Sequence, residues 1–237
     1  NVECKISDNG EEVFAGKANI KMNHEQNTGS VAASFADSSH TINVYRQDEK
    51  VIIKSSENDV YRVMEREGSM WNHGGEKQGP PIAVEKIFNT FMGKIRELAT
   101  VESESDGSQK TSLELSGSEI PTLVNVIGPW IVSKATSEHH WGHGKWHNDA
   151  NIPFPILEMK QNLPKLTDDV KIEQMNLNAE INPNDFLEEQ TAVINITGKD
   201  ETGKEHALTV QVQIDFSDYN QTVPDRIDLT GKKTEEM

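Results

Sequence analysis

The stretch SEHHWGHGKWHND gathers the side chains of this chain best suited to chemistry. His139, His140, His143 and His147 are four of its eight histidines and stand beside Trp141, Trp146 and Asp149. Neutral imidazoles at this spacing can converge on Zn²⁺, Ni²⁺ or Cu²⁺, with Asp149 or Glu138 as an oxygen ligand. On a helix His139, His143 and His147 would share a face, but Gly142 and Gly144 argue for a loop wrapped around its metal. The bland alternative is a solvated loop whose tryptophans fold back onto a sheet. A histidine titrates at about 6.5 when unperturbed, so such a cluster also gains charge together on acidification. Trp71 and His73, in an earlier Gly- and Pro-rich loop, would meet this cluster if both loops lay at one rim of the fold.

Other catalytic signatures are missing from the sequence. It has no G-x-S-x-G elbow, no Walker loop and no H-E-x-x-H; NHEQN carries His24 and Glu25 without a second histidine. Cys4, the single cysteine, has no local base and permits no internal disulfide. The pairs Asp168–Asp169 and Glu188–Glu189 read as solvated turn residues before strands. DETG and SDNG resemble fragments of calcium loops without the ligand series. Asn195 and Asn220 open N-x-T sequons, which carry weight only in a eukaryotic secreted protein.

The elements that must position any site are mostly strands. In HALTVQVQIDF, Leu208, Val210, Val212, Ile214 and Phe216 alternate with polar residues, the period of two of a half-buried antiparallel strand. Ala192, Ile194 and Ile196 alternate upstream, and KDETGKE with Gly203 links the two as a hairpin. Residues 1–66 read as a meander. Val2, Cys4 and Ile6 alternate, then Phe14, Gly16, Ala18, Ile20 and Met22, where the small residues imply close packing. Val31, Ala33, Phe35 and the runs INVY, KVIIK and DVYRVM follow. VKIEQMNLNAEI changes phase after Ile172, which predicts a β-bulge at Glu173–Gln174. The tail is polar and is expected to fray after Leu229.

Two helices interrupt the strands. Ile82, Val84, Ile87, Phe88, Phe91, Met92, Ile95 and Leu98 recur at threes and fours over residues 81–99, after Pro80 and Pro81. Ser118 caps a second helix whose stripe is Ile120, Leu123, Val124 and Ile127, ending near Pro129. IPFPILEMK reads as a proline-punctuated edge strand or extended link.

Only 34% of the 237 residues are hydrophobic, which suits a sheet with one solvated face. The net charge of −16 repels phosphate backbones and anionic headgroups, arguing against nucleic acid. No apolar run is long enough to span a membrane as a helix. A start at Asn1 suggests a processed chain whose signal or anchor is lost from view. The expected fold is mainly β (α+β): a curled antiparallel half-barrel of roughly ten or eleven strands with two amphipathic helices in its concave face. It would be a single domain over 1–237, with a meander to 66, a helical insertion at 80–136 and returning strands at 153–229.

The meander INVYRQDEKVIIKSSENDVYRVM, the mid-chain helix pair and the returning strands ending in HALTVQVQIDFSD resemble the LolA/RseB/LppX-like lipoprotein-carrier superfamily of bacterial envelopes. The resemblance covers nearly the whole chain and implies an extracytoplasmic location with a hydrophobic cavity for acyl chains, or a sensing role on the same scaffold. The expected function is non-enzymatic binding of a lipid or other hydrophobic small molecule between helices and sheet. Phe88, Phe91, Met92, Ile95, Leu123, Ile127, Val210, Val212 and Ile214 would line that space. The alternatives are an envelope module that binds a protein without a ligand, and a metal-binding protein using the histidine loop, with Zn or Cu as the candidate cofactor.

Overall fold

A computed structural model describes residues 1–36, 40–65, 98–117, 120 and 163–236. The helices expected over 81–99 and 118–129 lie outside the described residues, apart from Leu98, Ala99 and Ile120. So do the proline-punctuated segment 152–160 and both loops carrying tryptophan and histidine.

The meander forms β1 (Val2–Asp8), β2 (Glu11–Asn23), β3 (Thr28–Phe35), β4 (Thr41–Gln47), β5 (Lys50–Ser55) and β6 (Val60–Glu65). A short pair follows, β7 (Thr100–Ser103) and β8 (Gln109–Ser116), then the long strands β9 (Asp168–Ile181), β10 (Leu187–Lys199) and β11 (Glu205–Asp215), and finally β12 (Lys233–Glu236). All twelve pair in one open sheet of order β12-β6-β5-β4-β3-β2-β1-β11-β10-β9-β8-β7. Pairing is antiparallel except between β12 and β6. The β1–β11 pair is the seam at which the first block of strands meets the second.

Local chemistry explains the register. Asn9 and Gly10 both take positive φ (51° and 86°), the two-residue turn whose twist suits a hairpin, between β1 and β2. Asn195 pairs with Gln174 and Ile196 with Ile172, so Glu173 is the extra residue of a bulge, as the change of phase requires. The bulge returns Ile172 and Met175 to one face. Over Gly16 lie the rings of Phe14 and Phe35, and a methyl group there would sit 3.1 Å from the Phe14 ring.

The register places one apolar row across the seam: Ile194, Val210, Ile6 and Phe14 in one line, Ala192, Val212, Cys4 and Gly16 in the next. Two buried clusters occupy this apolar face in the second block. Leu113, Leu115, Met175 and Ile120 form one, with Ala99 packed against it; Leu166, Ile196 and Leu208 form the other.

Several expectations are corrected. Ile20 and Met22, on the apolar face of β2, are 44% and 45% exposed. The rule of one wet face per strand fails at β4–β6, where Ile52 and Val63, on the opposite face, are 1% and 7% exposed. The tail does not fray after Leu229: Lys233–Glu236 pairs with β6 through backbone groups, which need no apolar periodicity. Asp168–Asp169 and Glu188–Glu189 belong to β9 and β10 instead of preceding them.

Candidate functional site

Of the expected lining residues, the sheet brings three together. Val210, Val212 and Ile214 stand on the apolar face of β11, half-buried, and pair with Ile6, Cys4 and Val2 on one side. On the other side they pair with Ile194, Ala192 and Gln190. Small neighbours, Gly16 and Ala18 on β2, keep this part of the face low. Phe88, Phe91, Met92, Ile95, Leu123 and Ile127 lie outside the described residues, as do His139, His140, His143 and His147.

Three described residues at the borders of those segments point the same way. Ala99 precedes β7, Ile120 follows β8 and Leu166 precedes β9, and each packs against an apolar-face cluster. Ile120 is only 2% exposed, so the first residue of the expected second stripe is already buried on this face.

Cys4 sits within the same apolar row, and burial raises its thiol above the ordinary value. A thiol so placed is a poor nucleophile. A surface depression of about 270 Å³ lies elsewhere, lined by Glu3, Lys17, Asn19 and Ser34 among others. The 2.6 Å ion pair between Lys17 and Glu3 belongs to the polar face, so this is not the apolar compartment expected from the sequence. Among the described residues, no group of three or more His, Cys, Asp or Glu could hold a metal ion. None of their helices is long and apolar enough to cross a membrane.

One polar constellation escaped the sequence reading. His206, 6% exposed, has Nδ1 2.7 Å from Asp8 Oδ2 and Nε2 3.3 Å from Asp200 Oδ2. Asp200 also accepts hydrogen bonds from the Thr202 hydroxyl at 2.7 Å and from the Thr202 and Lys204 amides. The Thr202 hydroxyl is the largest cause holding its carboxyl well below the usual range, with the Lys204 amide and His206 adding to it. Both ring nitrogens face carboxylates, so the imidazole has no free position from which to serve a nucleophile. The arrangement instead ties the end of β1 to the β10–β11 hairpin. No local motif announces it, because Asp8 and His206 are 198 residues apart.

No protein-family model matches the chain, and no curated protein matches it. A solved structure with some similarity is described as a conserved protein of unknown function with hot dog fold from Alicyclobacillus acidocaldarius. It is 9% identical over 92% of this chain and 78% of its own, with a TM-score of 0.10, a likeness that carries no argument about fold or function.

Proposed function

We propose that this chain is an extracytoplasmic, non-enzymatic protein that holds a lipid or other hydrophobic ligand against the apolar face of its sheet, beneath helices 81–99 and 118–129. The observation that carries the reading is the placing of Ala99, Ile120 and Leu166 on that face. Connectivity adds to it. β6 and β7 stand ten strand spacings apart, about 48 Å at about 4.8 Å per spacing. The residues from 66 to 99 must make that passage, and the polar face of β3 and β4 is already occupied by the tail. A crossing over the apolar face gives the helix stripe of Phe88, Phe91, Met92 and Ile95 a place to bury. It also faces that stripe toward Val210, Val212 and Ile214. The curling of the sheet into a half-barrel and the kinship with the lipoprotein-carrier superfamily are parts of the same proposal.

The test is uptake of a fluorescent fatty acid by protein stripped of co-purifying lipid. Saturable enhancement is expected, and its loss in Val212→Asp, with thermal unfolding measured alongside to show that the variant is folded. Absence of saturable uptake by the parent chain would refute the proposal. A second reading, an envelope module that binds a protein partner, is favoured by the exposure of Ile20 and Met22 on β2. Ile20→Lys with Met22→Lys should leave probe uptake intact and abolish any such partnership in a cross-linking experiment.

A further inference from the structure

The polar face of β8–β11, opposite the proposed lipid compartment, has a chemistry of its own. Its centre, Gln174, Asn176, Asn178, Thr191, Asn195 and Thr209, carries no charge in a chain whose net charge is −16. Cross-strand hydrogen bonds order it. The Thr209 hydroxyl donates to Asn195 Oδ1 at 3.0 Å, Asn195 Nδ2 to Gln174 Oε1 at 3.0 Å, and Gln174 Nε2 to Glu114 Oε1 at 3.3 Å. Asn178 Nδ2 donates to the Thr191 hydroxyl at 3.2 Å. Each amide is thereby held in one orientation while it keeps further donor and acceptor positions. Asn178, Gln211 and Gln213 on this face are exposed.

Toward the β9–β10 turn the uncharged patch ends at a row of carboxylates, Glu180, Glu189 and Asp215, the last two accepting from Gln213 Nε2 at 3.3 Å and 3.1 Å. Beyond that row Phe186 and Tyr219 stack with ring centroids 4.6 Å apart and planes at 26°. They remain 38% and 37% exposed. The Tyr219 hydroxyl donates to the Leu187 carbonyl, which fixes the ring. Aromatic rings left in water but held rigid offer a low-entropy apolar platform beside hydrogen-bonding groups.

We infer that this face binds an uncharged glycan. Oriented amides and hydroxyls suit a ligand rich in hydroxyl groups, and the aromatic pair suits the apolar C–H face of a sugar ring. The chain's overall negative field repels polyanions but exerts no net force on a neutral polymer. The hydrogen-bonding row lies on the other face of the sheet from the lipid compartment, and the inference stands without that compartment.

Affinity electrophoresis of the full chain in gels containing dextran, laminarin or alginate tests the inference. Retardation by at least one of the two neutral glucans is expected, unchanged at high salt, with none by the acidic alginate. The double variant Phe186→Ala, Tyr219→Ala and the separate variant Gln211→Glu should each reduce it at least tenfold. Thermal unfolding and fatty-acid uptake, measured on the same samples, are expected to stay as in the parent chain. No retardation by either neutral glucan, retardation by alginate alone, or equal retardation of parent and variants would each overturn the inference.

Discussion

The two halves of this sheet differ in the faces they bury. In the second block, β8–β11, the closed clusters lie on the apolar face, where Ile120 and Leu166 join Leu115, Met175 and Ile196. In β3–β6 both faces are buried in places: Ile42 on the apolar face is 5% exposed and Ile52 on the other, the face to which the C-terminal tail is bonded, is 1% exposed. Gln47 clasps that tail: its Nε2 donates to the Ile227 carbonyl at 2.8 Å and its Oε1 accepts from the Ile227 amide at 2.9 Å. Asp225 binds Lys21 and Ser30, Arg226 pairs with Asp48, and Lys232 stands 5.1 Å from the centre of the Tyr61 ring. Ile52 and Val63 are buried on the same side. A strand face becomes core when another segment covers it, and the side-chain alternation only makes it eligible. The first block therefore hides Ile52 while leaving Ile20 and Met22 in water.

Truncation before Thr222 should break the comparison most sharply. In the full chain Leu115→Ala and Ile52→Ala are each expected to cost about 3 kcal/mol in urea unfolding, the usual range for emptying a packed site. Without the tail, Ile52→Ala should lose most of its cost, whereas Leu115→Ala should keep it. Equal costs in both backgrounds would mean that the tail is not what buries Ile52.

Replacing His206 by Leu tests the seam between the halves. It leaves the Asp8 carboxylate facing an apolar side chain, and about 3 kcal/mol of stability should be lost. Gln47→Ala removes both hydrogen bonds to Ile227 and should cost about 2 kcal/mol. Amide exchange should then quicken at residues 227–236 and not in β8–β11; a uniform change would contradict an independent clasp. Arg226→Ala, at the exposed pair with Asp48, should cost less than about 1 kcal/mol and less still at high salt.

The smallest expected effect is on acid stability. Asp200 has a folded-state pKa below its ordinary value of 3.8. It therefore contributes stability that is fully present above the ordinary value and is lost as pH falls through the lower, folded one. Asp200→Asn should flatten the acid limb of the stability profile and leave the profile above pH 5 parallel to that of the parent chain (about one unit clear of the carboxylate range). An unchanged acid limb would show that Asp200 is not a source of acid sensitivity.

Much of this architecture was local and therefore legible. Alternation in HALTVQVQIDF and TAVINITGK and the bulge at Glu173 each depend on a handful of neighbours, and the register bears them out. The same alternation assigned Val210, Val212 and Ile214 to one apolar face. Coverage was not legible, because it depends on segments far apart in the chain. Val63 looks alike in sequence whether its face meets water or a distant segment of the chain. The Asp8–His206 contact, the pairing of Lys233–Glu236 with β6, and the β1–β11 seam all join distant residues through geometry that no periodicity encodes. Side-chain order along the chain determined which faces could be buried; tertiary contacts decided which of them were, since burial requires a partner and partners are found only in three dimensions.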